Sequence, residues 1–223
     1  MYGKIIVIEG TDCSGKGTQS DKLLEKLNRE GYPTKKFSFP NYDSPTGKIV
    51  GGPYLGKPTI SNGWFKEGAN NVDPKVASLY YAADRLYNIK PIIEELSSGN
   101  NVILDRYTTS NMGHQAGKIK DKTERLEMFK WIEDLEYNLL NLPKPDIKVF
   151  LYMPYQYSKS LQTNRLELDE HELSEDNLRN AENAYLEMVD LYNFIKIDCV
   201  SNSSIRPVED INNELYSKVL EKL

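Results

Sequence analysis

Residues 3–19 read Gly-Lys-Ile-Ile-Val-Ile-Glu-Gly-Thr-Asp-Cys-Ser-Gly-Lys-Gly-Thr-Gln, a short apolar run that opens into a glycine-bounded loop. Such a loop can cradle phosphate. Gly10 and Gly15 let the backbone turn its N–H groups inward, and a side chain at either would stand where phosphate oxygens must come. The helix expected from Lys16 points its partial positive end at the same spot, and Lys16 adds a full charge. The spacing Gly10-x4-Gly15-Lys16 fits the P-loop pattern, but Gly17 stands where that pattern has Ser or Thr, with Thr18 one place late. The usual metal-binding hydroxyl is therefore in question. The alternative is a glycine-rich turn that binds nothing. Against it stand the apolar run before the loop and the amphipathic stretch after it.

Three further groupings could do chemistry. Asn101-Asn-Val-Ile-Leu-Asp105-Arg106-Tyr107 is an apolar strand that delivers a carboxylate and a guanidinium together at its exit. There the carboxylate can hold the water shell of Mg²⁺ and the Arg can clamp a phosphoryl oxygen; a plain surface ion pair is the alternative. Tyr81 and Arg85 sit four apart on a helical stretch and present a ring beside a fork. The ring could stack on a base while the Arg donates to a carbonyl or phosphate, or the two could be a core-edge Tyr and a solvated Arg. Arg165, Asp169 and Glu172 lie in a mixed-charge stretch without apolar periodicity, either a closing lid or a solvated helix face.

The elements that must position these groups alternate. Lys4–Glu9, Lys35–Phe39, Asn101–Asp105, Lys148–Tyr152 and Phe194–Asp198 are short, rich in Val, Ile, Phe or Tyr, and flanked by turn signals. Amphipathic spacing marks helices near 16–30, 73–97, 123–140, 175–190 and 207–222. Val76, Leu79, Tyr80, Ala83, Leu86, Tyr87 and Ile93 trace one apolar stripe in the second of these, expected to face the core. Alternation of this kind predicts an α/β fold, a parallel sheet covered by helices on both faces, with ligands at the carboxyl ends of its strands. Glu9, Phe39-Pro40 and Asp105-Arg106-Tyr107 all end strands, so three motifs would converge on one cleft. The Gly/Pro/Asn-rich segment 41–72 reads as a mobile flap, in which Thr46–Val50 can form a short helix.

Composition narrows the classes. The chain has 223 residues, 39% of them hydrophobic, enough for one substantial core with a small lid. A net charge of −5 without a basic cluster argues against nucleic acid as a partner. Only seven Arg occur, which makes each one in a motif informative. Two cysteines, Cys13 and Cys199, make no disulfide framework, and no apolar run approaches membrane-spanning length. A soluble cytoplasmic protein is expected.

Together the motifs resemble the thymidylate kinase family of P-loop nucleoside monophosphate kinases. Those that carry the likeness are Glu9-Gly10-Thr-Asp12-x-x-Gly15-Lys16-x-Thr18-Gln19, Phe39-Pro40-x-Tyr42, Tyr81-Ala-Ala-Asp84-Arg85, Asp105-Arg106-Tyr107-x-x-Ser110-Asn111 and Leu168-Asp169-x-x-Glu172. They run from residue 4 to about 192. The resemblance implies ATP + dTMP → ADP + dTDP in a homodimer. It implies a single P-loop kinase domain over 1–223, a five-stranded parallel sheet of order 2-3-1-4-5, and a lid near 155–173.

The family's roles would fall as follows. Lys16 and the loop from Gly10 through Thr11, Asp12, Cys13, Ser14, Gly15 and Gly17 to Thr18 would hold the ATP phosphates. Arg106 would bridge donor and acceptor phosphates, with Asp105 near Mg²⁺, Thr18 as a second metal donor and Arg165 as a lid cation. Asp12 and Glu172 would reach the sugar or the acceptor phosphate. Tyr81 would stack on thymine, Arg85 would bond a base carbonyl, and Ser110 and Asn111 would line the base pocket. Tyr42 would sit by the acceptor phosphate, and the Phe39–Pro40 bond is expected to be cis.

The sequence also departs from the family. Asn41 and Tyr42 stand where many relatives have an Arg, and Cys13 and Ser14 where some carry another. The lid offers only Lys159 and Arg165, and His114 in Gly113-His114-Gln115 replaces an aromatic that helps exclude a ribose. Two alternatives stay open on the sequence: a kinase for another deoxynucleotide or deoxynucleoside, and a non-catalytic nucleotide-binding protein. A GTP-driven switch is set aside, since no Asn-Lys-x-Asp element occurs.

Overall fold

In the computed structural model residues 2–11, 13–162 and 175–223 are described, apart from the side chains of residues 159, 160, 162 and 177. Five parallel strands form the central sheet: β1 (Ile5–Gly10), β2 (Thr34–Ser38), β3 (Asn101–Asp105), β4 (Ile147–Tyr152) and β5 (Ile195–Asp198), in the order β2-β3-β1-β4-β5. This is the order the resemblance implies. Every residue of β1 is buried, as a central parallel strand requires. Its alternate side chains feed two cores. Ile6 and Ile8 pack with Leu23 and Leu27 of α1 (Lys16–Arg29) and Leu215 of a C-terminal helix (Val208–Leu220); Ile5 and Val7 pack with Ile92 and Leu96 on the opposite face.

Register decides where the chemistry meets. Ser38 and Ile8 both lie opposite Asp105, so β2 and β3 end together while β1 runs on to Gly10, opposite Leu151 of β4. The helices start where local chemistry permits. The Ser44 hydroxyl accepts from the Gly47 N–H to cap α2 (Pro45–Ile49), and Asp73 accepts from the Lys75 and Val76 N–H groups to cap α3 (Pro74–Ser97). Pro at the first helical position of each has no N–H to orphan. The remaining helices are α4 (Thr108–Asn111), α5 (Lys122–Glu133), α6 (Tyr155–Gln162) and α7 (Glu175–Leu191), with Val208–Leu220 as α8. A two-stranded hairpin, Val200–Ser201 with Ser204–Ile205, precedes α8.

Two expectations fail here. Segment 41–72 is a packed unit: α2 runs into a π-helical turn at Val50–Tyr54, and Val50, Tyr54, Leu55, Ala69 and Val72 are buried together against Ala77. The α3 stripe does not face the core. Val76, Leu79, Leu86, Tyr87 and Ile93 are each at least 40% exposed and Ala83 is exposed too, while Ala77, Ser78, Ala82, Arg85, Ile92 and Leu96 form the buried face. Tyr80 alone of that stripe turns inward, onto Tyr54.

Candidate active site

One cavity of about 400 Å³ lies at the carboxyl ends of β1, β2 and β3. Its floor is the phosphate loop. Cys13, Gly15, Lys16, Gly17 and Thr18 line it, whereas Gly10, Thr11 and Ser14 lie beneath as supports. Gly15 has φ +80° and caps α1 without a side-chain hydrogen bond, and no acid stands in the first turn of that helix. The helix thus begins beside the cleft with no built-in anion, the setting in which its first N–H groups serve a phosphate.

The two loop glycines serve the fold, not a phosphate oxygen, in different ways. A Cβ at Gly10 would lie 2.5 Å from the Ser14 hydroxyl and 2.9 Å from the Leu151 carbonyl, so Gly10 lets the loop fold against β4. At Gly15 a Cβ would meet open space; what glycine provides there is the left-handed φ. Thr11 donates to the Met153 carbonyl at 3.0 Å, tying the loop to the end of β4. The Lys16 ammonium donates to the carbonyls of Gly10 and Thr11, each at 2.8 Å. The buried Ser14 hydroxyl has no hydrogen-bond partner among the described residues. Asp12 lies outside the described residues.

Asp105 and Arg106 enter the cleft from β3. Arg106 adopts φ +68°, an unusual backbone for a side-chain-bearing residue, with its N–H held by the Ile8 carbonyl at 3.2 Å. Its Nη1 lies 2.8 Å from Nε2 of His114, and the His114 ring meets Tyr185 edge-on. Asp105 faces Gly17: its Oδ2 lies 3.8 Å from where a Cβ there would stand. Lys36, from β2, brings its ammonium to 3.9 Å from the same oxygen and 2.6 Å from Asp21. The sequence reading missed Lys36, because nothing in Thr-Lys-Lys-Phe-Ser shows which lysine approaches Asp105.

The far end is built for flat, polar contacts. Tyr81 and Arg85 both line it from α3, and the Tyr81 ring sits edge-on to Tyr54, centroids 5.8 Å apart. Arg85 is 2% exposed, and its Nε and Nη2 form a two-pronged pair with Glu136. Burial alone would depress that guanidinium; the facing carboxylate outweighs it and carries the pKa above the ordinary value. Glu136 is wholly buried in a π-helical turn (Asp134–Leu139) and also accepts from Thr108 and from the Asn111 amide at 3.0 Å. The signal for it was there. Phe129, Ile132 and Glu136 fall on one helical stripe, so the acid had to be buried and paired.

Asn111 Oδ1 and both amide atoms of Gln115 are buried in this wall with no partner among the described residues. Buried polar atoms of that kind call for a ligand or water. Gln115 follows His114 in the Gly113-His114-Gln115 motif, where the sequence marks only His114 as a site residue. Ser110 reaches the cleft but its hydroxyl donates to Glu9, which also accepts from the Tyr107 N–H, Thr109 and Tyr185. Burial and then the Glu9 charge push the Tyr185 phenol well above its usual value, so Tyr185 stays a donor.

The third side is the β2 exit. Phe39–Pro40 is cis, as expected. The next turn is pinned by the buried Asp84, which accepts from the Asn41 N–H at 2.9 Å, Thr46 at 2.8 Å and Asn88 at 2.8 Å. Phe39, Pro40 and Tyr42 thereby line the cleft, and the Lys57 ammonium lies 4.6 Å from the centre of the Tyr42 ring. The expected sites Arg165 and Glu172 lie outside the described residues, as do Asp169 and the segment from 163 to 174.

Comparison with known proteins gives a consistent result. The family model described as thymidylate kinase matches residues 8–212. A probable thymidylate kinase of Pyrococcus horikoshii is 28% identical, the match covering 100% of this chain and 98% of that protein. Another from Methanocaldococcus jannaschii is 30% identical over 94% of this chain and 92% of that one. Thymidylate kinase of Dictyostelium discoideum is 32% identical over 68% of this chain, and the match spans 59% of that relative's length. The solved structure of thymidylate kinase from Candida albicans shares the fold at a TM-score of 0.73, with 23% identity and coverage of 99% and 92%.

Proposed function

Since this chain belongs to the thymidylate kinase family, we propose that it transfers the γ-phosphate of ATP to dTMP, giving ADP and dTDP, in the cleft described above. The observation that carries this reading is the shared cavity. Lys16 and the start of α1, Arg106, and the group Tyr81, Arg85, Asn111 and Gln115 all line it. A phosphate, a phosphate in transfer and a flat polar ring each find suitable chemistry there.

The acceptor phosphate is already a nucleophile, so no strong base is needed, and positioning with charge stabilisation does the work. Lys16 and the α1 N–H groups hold the β- and γ-phosphates. Arg106 stabilises charge on the equatorial oxygens, with Arg165 of the lid assigned the same task. Tyr81 stacks on the thymine ring; Arg85, fixed in place by Glu136, the Asn111 amide oxygen and the Gln115 amide read its edge. Asp12 and Glu172 are assigned to the sugar or acceptor-phosphate region by the family pattern.

A Mg²⁺ bound with ATP would neutralise β- and γ-oxygens. The residues fit such an ion: Asp105 supplies one carboxylate facing the glycine at 17, and Thr18 lines the same cavity. One carboxylate plus substrate phosphates is an ordinary donor set for this cation. Among the described residues no group of three or more His, Cys, Asp or Glu could hold a metal.

A homodimer is part of the same proposal, and the exposed α3 stripe supports it. Val76, Leu79, Ala83 and Leu86 recur at spacings of 3, 4 and 3, the pattern of a helix seam that packs on another helix. We also assign the enzyme to the cytoplasm; no helix among the described residues is long and apolar enough to cross a membrane. The deciding experiment is a coupled assay of purified protein with ATP and dTMP, dUMP, dCMP, dGMP, UMP or thymidine. Preferred turnover of dTMP is the expected result. Turnover of another acceptor would reassign the substrate, and nucleotide binding without product would end the kinase reading.

A further inference from the structure

We infer that the ammonium of Lys57 binds the acceptor phosphate, an inference that rests on the kinase reading and goes beyond it. Phe39, Pro40 and Tyr42 line the cavity where the family pattern puts the acceptor phosphate, and neither they nor Asn41 and Asp43 are Lys or Arg. A phosphate dianion placed beside Phe39, Pro40 and Tyr42 therefore needs a cation from elsewhere in the chain. Four described cations line the cavity: Lys16, Lys57, Arg85 and Arg106. Lys16 is turned onto two loop carbonyls and Arg85 is committed to Glu136. Arg106 stands beside His114. Lys57 is the one against Tyr42.

Its placement is built. The Lys57 N–H donates to the Gly51 carbonyl at 2.8 Å, and its own carbonyl accepts from Ile60 at 2.9 Å and Ser61 at 3.1 Å. Gly51 in turn gives room to the Tyr42 ring, since a Cβ there would lie 2.8 Å from Tyr42 Cδ1. The ring thus seats on the turn that anchors Lys57, and the ammonium rides 4.6 Å above the ring centre. No carboxylate pairs with that ammonium among the described residues. A ring face at a solvent-open site holds a cation by only about 0.5–1 kcal/mol, so it aims the ammonium while leaving its three donors for an anion.

The test compares dTMP with thymidine, which differ by the phosphate alone. For Lys57→Met and Lys57→Gln, calorimetry and steady-state kinetics are expected to show dTMP Kd and KM raised about tenfold or more. Thymidine binding and the ATP KM should stay within twofold, and Lys57→Arg should restore most of the dTMP affinity. Unchanged dTMP affinity in both neutral variants overturns the assignment. So does a parallel loss of thymidine binding, which would mark Lys57 as a support for the flap. The two readings fail separately: a wild-type protein that ignores dTMP ends the assignment of dTMP as acceptor and this inference with it. A wild type that turns dTMP over beside indistinguishable Lys57 variants ends only this one.

Discussion

Nη1 of Arg106 and Nε2 of His114 stand 2.8 Å apart, and both residues line the cleft. A guanidinium can only donate, so Nε2 accepts, and the imidazole carries its single proton on Nδ1. His114 thereby aims the cation assigned to the transferring phosphoryl group. Arg106→Ala is expected to lower kcat by two or more orders of magnitude, the size typical of losing one such electrostatic donor. His114→Leu keeps the guanidinium and removes its acceptor, so kcat should fall about tenfold while the ATP KM holds. Near-normal turnover in Arg106→Ala would remove Arg106 from the reaction.

Glu136 holds Arg85, Thr108 and Asn111 at once, with no exposure to water. Removing it strands a buried guanidinium. Glu136→Ala should cost about 3–5 kcal/mol in urea unfolding, and Glu136→Gln less. A loss under 1 kcal/mol in the Ala variant would mean that Arg85 finds water when its partner is gone.

Tyr81 presents its ring to the cleft with Tyr54 edge-on behind it. Tyr81→Ala is expected to raise the dTMP KM far more than the ATP KM, and Tyr81→Phe to be nearly silent. Equal effects on both substrates would take the ring out of the base pocket.

Lys118 bonds the Ala69 carbonyl and the Tyr54 hydroxyl, clamping segment 41–72 to the following helices. Burial pushes its pKa down to about 8, partly relieved by Asp73. The unfolded chain then binds more protons between pH 8 and about 10.4, so this lysine makes stability rise with pH across that window. Wild type should gain about 2 kcal/mol relative to Lys118→Met between pH 8 and 10.4, with a flat difference below pH 7. A difference independent of pH would show that the ammonium is not desolvated.

Leu79 is 49% exposed at the centre of the α3 stripe. Leu79→Glu should convert a dimer to monomer in sedimentation velocity with little change in the fold. A wild type that sediments as a monomer at micromolar concentration would remove the proposed pairing.

The sequence reading placed all five strands within a residue or two, because short β-branched runs bounded by turns leave few other assignments. It also found both residues of the β3 exit and the ring and fork of α3. Its errors share one cause. Periodicity reveals that a face is apolar, not what covers it, so the stripe from Val76 to Ile93 was assigned to a core that lies on the other side of the helix. In 41–72 the buried positions 50, 54, 55, 69 and 72 follow no helical or strand period, and packing there was invisible. Lys36 and Lys57 acquire their roles only through residues remote in sequence, which no local pattern encodes; Glu136 shows locally as an acid on an apolar stripe, but its partners do not.

Helix α3 spans 24 residues as one rod, with Tyr81 and Arg85 on its inner side and Leu79 and Leu86 on its outer side. Side chains three and four apart share a turn, so the ring and fork stand within a turn of the outward leucines. The outward surface of this rod is not free to change alone, because whatever tilts it there also tilts the grip proposed for the nucleobase.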